Sequence, residues 1–133
     1  VRRARAVRGL SKVVFSLEGG TAKLTAPRFK GIVQQYPGGM LLWSSALHVP
    51  AVKLKARLAE GSAFNALEAD RVRWVQEVMK RGMEVFEDAE DLLHWLKRKH
   101  PIFGGERPLD LLGTTAGIGE VLMELGRIEH GVY

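Results

Sequence analysis

The chain has 133 residues, of which 46% are hydrophobic and 26% charged, so it can build one core-forming domain or two small ones. It contains no cysteine, which excludes disulfides, thiolate zinc sites and cysteine nucleophiles and fits a reducing compartment. No apolar run reaches the roughly eighteen residues of a membrane helix, and no signal-peptide core follows the basic start. We therefore expect a cytoplasmic protein that does not span a membrane.

The charge is distributed unevenly along the chain. The net charge is +5, but residues 1–58 hold eleven Lys or Arg and one acid, a net +10. Residues 59–133 hold nine Lys or Arg and fourteen acids, a net −5. This asymmetry predicts two partners of opposite sign, with nucleic acid as the first candidate for the basic half. The alternative is a basic face that only keeps the protein in solution.

The N-terminal segment, residues 1–36, has little regular pattern. It begins as a basic arm, and residues 12–24 fit either a hairpin or a short helix ended by Gly19. Thr25, with a proline soon after it, predicts a helix that runs to about Tyr36.

A clearer helical pattern begins at residue 40. Residues 40–47 predict a short helix, and Pro50 opens a second helix that stops at Gly61. A tight turn at His48 and its neighbour joins them. The apolar positions predict one shared buried face: Leu47, Ala51, Leu54 and Leu58.

Two further helices are predicted next. Asn65 and Glu68 form a capping-box pattern at the start of a helix that ends near Glu87. Asp88 caps the next helix, which Pro101 stops. The predicted buried stripe of the first comprises Val75, Val78, Gly82, Val85 and Phe86, with Trp74 beside it. That of the second comprises Ala89, Leu92, Leu93 and Leu96.

The C-terminal stretch predicts a turn, a short helix and a final long helix. The short helix runs from Pro108 to Gly113, and Thr114 or Thr115 caps the final one. The final stripe comprises Ile118, Val121, Leu122 and Leu125. The predicted fold class is therefore mainly α.

The sequence has no pattern that is typical of catalysis. His94 and His100 stand about 240° apart on a helical wheel, so they cannot share a metal ion. The glycine-rich pieces form no P-loop, because no Gly-Lys-Ser/Thr follows them. Gly117 lies where a helix begins and offers only weak evidence for an anion site. We expect no enzyme, no metal and no cofactor.

Residues 43–58 have the spacing of a helix-turn-helix motif, whose second helix enters the major groove of DNA. The turn position that glycine usually holds is His48, which tolerates positive φ better than most residues. The outward face of the second helix is occupied by Val52, Ala56 and Ala59, and none of these side chains can form hydrogen bonds with bases. Phosphate contacts are therefore expected from Lys53, Lys55 and Arg57 and from Arg2, Arg3 and Arg5. The alternative is a helical pair that only packs.

The most specific pattern lies in residues 85–133. Its landmarks are Val85-Phe86, Ala89, Trp95-Leu96, Phe103-Gly104-Gly105, Arg107-Pro108-Leu109-Asp110-Leu111-Leu112, Gly117 and Arg127-Ile128-Glu129-His130-Gly131-Val132-Tyr133. They resemble the toxin-binding domain of the Xre/ParS/MbcA family of bacterial antitoxins, and residues 40–84 more loosely resemble its Xre-like helix-turn-helix region. The resemblance is absent over the first thirty residues, and residues 1–36 are taken as a basic arm and a poorly defined segment. It implies a helix-turn-helix region with connecting helix over 37–84 and a small helical toxin-binding domain over 85–133.

The resemblance also implies a function. Family members are the antidote half of type II toxin–antitoxin pairs, and their partners are RES-domain toxins with an ADP-ribosyltransferase-like fold. Such toxins consume NAD or use it to modify a target protein. The C-terminal domain would cover the toxin, and the N-terminal region would bind operator DNA and autoregulate the operon. A homodimer within a toxin–antitoxin hetero-oligomer is implied as well.

The final residues leave two interpretations open. In the first, Arg127, Ile128, Glu129, His130, Gly131, Val132 and Tyr133 bind the toxin as a plug, with Tyr133 as an interface anchor. An acidic C-terminal half fits the cationic cleft of an NAD-binding partner. In the second, Ile128, Val132 and Tyr133 pack on the protein's own helices, so that the tail is a strap that holds the C-terminus in place. The alternative function is a small DNA-binding regulator whose C-terminal half only dimerises.

Two further predictions concern residues within the landmarks. Trp95 and Phe103 are expected in the core, because large aromatic side chains at such spacing are usually buried. Arg107 and Asp110 are expected to form a local surface pair that orders the loop.

Overall fold

The computed structural model describes residues 23–131. Nearly all of the predicted hairpin or helix over residues 12–24 lies outside this range. So do Arg2, Arg3 and Arg5 of the predicted arm, and Val132 and Tyr133 of the predicted plug.

Helices dominate the described residues, so the predicted mainly α fold class is confirmed. The α-helices are α1 (Ala26–Gln35), α2 (Gly39–Leu47), α3 (Ala51–Glu60), α4 (Ala66–Phe86), α5 (Ala89–Lys97) and α6 (Thr115–His130). Two 3-10 helices, Pro101–Phe103 and Pro108–Gly113, lie between α5 and α6. Extended pairing in this range is limited to two isolated bridges, Leu24 with Phe64 and His100 with Glu106.

The helices begin at the predicted caps. The side chain of Asn65 accepts from the amide of Glu68 at 2.8 Å, and the Glu68 carboxylate accepts from the Asn65 amide at 2.8 Å. Asp88 accepts from two amides of α5, and Thr114 accepts at 2.9 Å from the amide three residues later. Each cap satisfies amides that the helix itself leaves free, and a good cap contributes about 1 kcal/mol.

The turn between α2 and α3 has the predicted geometry. His48 adopts a left-handed conformation with φ 58°, and its amide donates to the carbonyl of Ser45 at 3.2 Å. The Val49 amide donates to the Ser44 carbonyl at 3.1 Å, which closes the helix end. A histidine therefore occupies a backbone position that favours glycine.

One hydrophobic core runs through the described chain. Phe29 and Trp43 meet edge to face with ring centroids 5.6 Å apart at the N-terminal side. The C-terminal side is filled by fully buried side chains of α5, the second 3-10 helix and α6, which include Leu92, Leu112 and Leu125. Helix α4 lies between these two sides and contacts α2, α5 and α6.

The buried stripe of α4 begins earlier than predicted. Val75, Val78 and Gly82 are buried as expected, but Val85 and Phe86 are only partly buried. Two residues outside the predicted stripe, Val72 and Met79, are almost completely buried. The reason is that α4 also packs on α2, which the pattern of α4 alone does not reveal.

Candidate protein-binding surface

The C-terminal residues 89–131 form a helical layer on α4, and an aromatic cluster fixes its first turn. Trp95 and Phe103 are both buried, as predicted, with ring centroids 6.0 Å apart. Phe86 and His100 also pack on Trp95, at 5.6 and 5.4 Å. The His100 ring nitrogen Nε2 lies 2.9 Å from the Trp95 carbonyl. These contacts hold the first 3-10 helix in place after α5.

The predicted pair of Arg107 and Asp110 is confirmed. The Nε and Nη2 groups of Arg107 donate to the two carboxylate oxygens of Asp110 at 2.8 and 2.6 Å. This bidentate contact lowers the pKa of the Asp110 carboxyl and raises that of the guanidinium. Both side chains are over a third exposed, so the pair orders the loop while contributing only about 0–1 kcal/mol.

The turn between α2 and α3 contacts the C-terminal layer. A Cβ atom placed on Gly113 would lie 2.9 Å from Nε2 of His48, so the imidazole packs directly on the Gly113 backbone. The second 3-10 helix also contacts α2. The basic half and the acidic half are therefore parts of one packed unit in the described structure.

The described tail residues divide between outward and inward positions. Arg127 and His130 are exposed, whereas Ile128 is partly buried against the core. The Glu129 side chain is only 4% exposed, and its Oε1 lies 2.7 Å from Nη2 of Arg81 in α4. Gly131 ends α6 with φ 67°. Part of the tail thus behaves as a strap, and the assignment of residues 127–133 as partner contacts stays a prediction.

A small cleft between α6 and the first 3-10 helix was not predicted. Its volume is about 160 Å³, and its lining comprises Ile102, Phe103, Glu120, Met123, Glu124 and Arg127. Glu124 is 6% exposed, the one charged residue in the buried class among residues 23–131. Val121, Glu124, Leu125 and Ile128 share the i, i+3, i+4, i+7 spacing of a buried face, and that spacing was the signal that could have placed Glu124 there.

Gly117 serves packing rather than an open anion site. Its amide already donates to the Thr114 hydroxyl at 2.9 Å. A Cβ atom at this position would lie 1.9 Å from the carbonyl oxygen of Leu111. The start of α6 therefore touches the second 3-10 helix at backbone distance.

The three basic residues of α3 have different surroundings. Lys53 and Lys55 are exposed, whereas Arg57 donates to both oxygens of Glu68 at 2.7 Å and lies 4.8 Å from the centroid of the Phe64 ring. The contact from Arg57 lowers the pKa of the Glu68 carboxyl. Val52, Ala56 and Ala59 are exposed on the outward face as predicted. The assignment of the three basic residues as DNA contacts stays a prediction.

A larger concavity of about 380 Å³ lies between α3 and α4, with the Arg57–Glu68 pair among its lining. Within residues 23–131, no group of three or more His, Asp or Glu side chains is arranged to hold a metal ion. None of the described helices combines the length and the apolar character needed to cross a membrane.

Comparison with known proteins identifies the C-terminal layer. Residues 81–131 match the family profile described as the antitoxin Xre/MbcA/ParS C-terminal toxin-binding domain. The match begins inside α4, ahead of the predicted boundary at residue 85.

Two curated relatives are both named antitoxin Xre. One, from Photorhabdus laumondii subsp. laumondii, is 28% identical over 90 residues, which cover 65% of this chain and 61% of the relative. The other, from Yersinia enterocolitica, is 29% identical over 101 residues, which cover 69% of this chain and 68% of the relative. The part of the chain that carries the Trp95 cluster, the Arg107–Asp110 pair and the backbone contact at Gly117 is therefore similar to the toxin-binding domain of Xre/MbcA/ParS antitoxins, and the chain is similar to two proteins named antitoxin Xre.

Proposed function

We propose that this chain is the antitoxin of a type II toxin–antitoxin system and inhibits a RES-domain toxin that uses NAD. Inhibition occurs by coverage of the toxin active site with the C-terminal layer and the tail. The observation that carries the proposal is the match of residues 81–131 to a toxin-binding domain. The described part of the chain presents this layer as a folded surface, so binding needs little reorganisation of the antitoxin.

Charge supports this assignment. Residues 59–133 have a net charge of −5, which complements the basic cleft that an NAD-binding enzyme needs for the dinucleotide phosphates. Exposed Arg127 and His130 at the end of α6 are placed to contact groups that otherwise bind the dinucleotide. Ile128 and Glu129 keep the helix end attached to α4 and so position those two side chains.

The basic half supports a second role in autoregulation of the operon. Lys53 and Lys55 are exposed on α3, beside a turn with helix-turn-helix spacing. Their positions fit phosphate contacts, since the outward face of α3 carries only Val52, Ala56 and Ala59. A homodimer would place two such helices on one operator.

The test is NAD turnover by the toxin encoded next to this chain's gene. The full chain is compared with a form that ends at Gly126 and with the double variant Arg127→Ala/His130→Ala, which keeps Ile128 and Glu129 in place. Lys53→Ala/Lys55→Ala is the matched control, because it removes two positive charges outside residues 81–131.

Each outcome assigns the inhibition to a part of the molecule. Inhibition by the full chain and the control, with loss in both tail variants, supports the plug. Equal inhibition by all forms would assign the blocking to residues 85–125 and leave the tail as a strap. Failure of the full chain to inhibit would overturn the antitoxin proposal for this toxin and favour the DNA-binding regulator.

A further inference from the structure

Glu124 is a largely buried residue whose carboxylate has no hydrogen bond or ion pair within the described structure. It is 6% exposed, and no hydrogen bond or ion pair joins it to another described side chain. A carboxylate in a partly enclosed position is stabilised by a compensating cation or donor. The other carboxylate buried in α6, Glu129, has Arg81 at 2.7 Å. Glu129 therefore has an ion-pair partner within the described structure, and Glu124 does not.

The cleft gives access to this carboxylate from outside. Glu124 lines it together with Glu120, which lies one helical turn earlier on the same face and is exposed. Two apolar side chains of the same lining are unusually exposed, Ile102 at 54% and Met123 at 63%. Exposed apolar groups beside a buried charge are typical of a surface that another protein covers.

The size of the cleft indicates what enters it. A volume of about 160 Å³ is below the roughly 300 Å³ at which pockets for cofactors and drug-sized ligands begin. A single long side chain fits better, and the two carboxylates select a basic one. Arg127 lines the same cleft but forms no ion pair with Glu120 or Glu124 within the described chain.

The cleft is held open before any partner arrives. Phe103 is buried in the aromatic cluster, which positions Ile102 beside α6. The bridge between His100 and Glu106 closes the loop that carries both residues. Preformed geometry lowers the entropic cost of binding.

We propose that this cleft receives an Arg or Lys side chain of the toxin. The cation pairs with Glu124 and Glu120, and apolar toxin surface packs over Ile102 and Met123. This inference rests on the proposed antitoxin function and adds a second anchor, whose lining shares only Arg127 with the tail. It assigns to Glu124 the role of a binding residue that has no ion-pair partner in the free chain and gains one in the complex.

The test is the affinity of the full chain for the toxin, measured by titration calorimetry, together with the thermal unfolding of the free chain. The variants are Glu124→Gln, Ile102→Ser and Met123→Ser. The matched controls are Leu67→Ser, an exposed apolar residue at the start of α4, and Glu90→Gln, an exposed carboxylate in α5.

Glu124→Gln should raise the dissociation constant about thirtyfold or more, and each apolar variant about tenfold, as central interface residues do. The controls should bind like the parent chain. The unfolding temperature of Glu124→Gln should be equal to or above that of the parent, because the variant breaks no hydrogen bond or ion pair. A carboxylate that only supports the fold would lower it.

The remaining outcomes distinguish failure of the cleft assignment from failure of the proposed antitoxin function. If the parent chain does not bind the toxin, the proposed function fails and the cleft assignment fails with it. If the parent binds and the three cleft variants bind equally well, only the cleft assignment is overturned. If Glu124→Gln instead abolishes self-association of the free chain in sedimentation, the cleft is a contact between copies and the proposal is wrong.

Discussion

Gly117 sets the distance between α6 and the second 3-10 helix. Replacement by alanine would bring a Cβ atom to 1.9 Å from the Leu111 carbonyl oxygen, and this backbone atom cannot move aside cheaply. We expect Gly117→Ala to lower the free energy of unfolding by about 1–3 kcal/mol, as measured by urea denaturation. Gly119→Ala in the same helix meets nothing within 4 Å and should be neutral or stabilise by up to about 1 kcal/mol. Equal effects of the two variants would contradict the close contact.

At the same scale, Glu68 connects pH to stability. The hydrogen bonds from Arg57 lower its folded-state pKa below the ordinary value of 4.5. A carboxyl group whose pKa is lower in the folded state stabilises the fold at pH values above its unfolded-state pKa. That stabilisation is lost as the pH falls through the folded-state pKa. The pair is about a third exposed, so the contribution is at most about 1 kcal/mol.

Glu68→Gln should therefore lower the free energy of unfolding at pH 7 and flatten its decline below pH of about 4.5. Denaturant titrations at several pH values measure this. The control is Glu60→Gln at the end of α3, whose carboxylate accepts from the Ser62 hydroxyl at 3.4 Å and forms no hydrogen bond with Arg57. A parallel decline in Glu68→Gln and the parent would show that the Arg57 contact does not set the pH dependence.

At the scale of the element, α3 presents two free cations and one engaged cation. Lys53 and Lys55 extend into solvent, while Glu68 holds Arg57. If α3 contacts operator phosphates, Lys53→Ala/Lys55→Ala should weaken DNA binding and reduce the slope of log K against log salt by about 1 to 2. Fluorescence anisotropy with an operator duplex between about 50 and 200 mM salt measures the slope.

Arg57→Ala is the comparison variant for α3. It should lower stability through loss of the Glu68 contact and change the salt slope less than the double lysine variant does. If the slope of log K against log salt changed in Arg57→Ala and not in the double lysine variant, Arg57 and not the two lysines would be the DNA contact. A slope unchanged in every variant would remove α3 from the DNA contact.

At the scale of the whole molecule, the sequence predicted local features such as helix caps, but it did not predict contacts between distant segments. The caps at Asn65, Asp88 and Thr114 depend on residues within one helical turn, so the sequence predicts them. The contact of His48 with Gly113 joins segments 65 positions apart, and no local pattern indicates it. The burial of Val72 and Met79 depends likewise on packing against other helices.

The candidate site follows the same rule. The resemblance of residues 85–133 pointed to the domain that the comparison identifies, and the Arg107–Asp110 pair was predicted because it is local. The burial of Glu124 and the Arg81–Glu129 ion pair were not predicted, because both depend on contacts with segments distant in sequence. Those two carboxylates now give the α6 surface its most specific chemistry.

The central claim is that the folded chain itself inhibits an NAD-using partner. The most direct measurement is a titration of the purified full chain into the adjacent-gene toxin, with NAD turnover as the readout. The account predicts a linear fall in turnover that reaches its floor at a fixed molar ratio, as tight coverage of an active site requires. Turnover that stays constant at a molar excess of the chain would contradict the account.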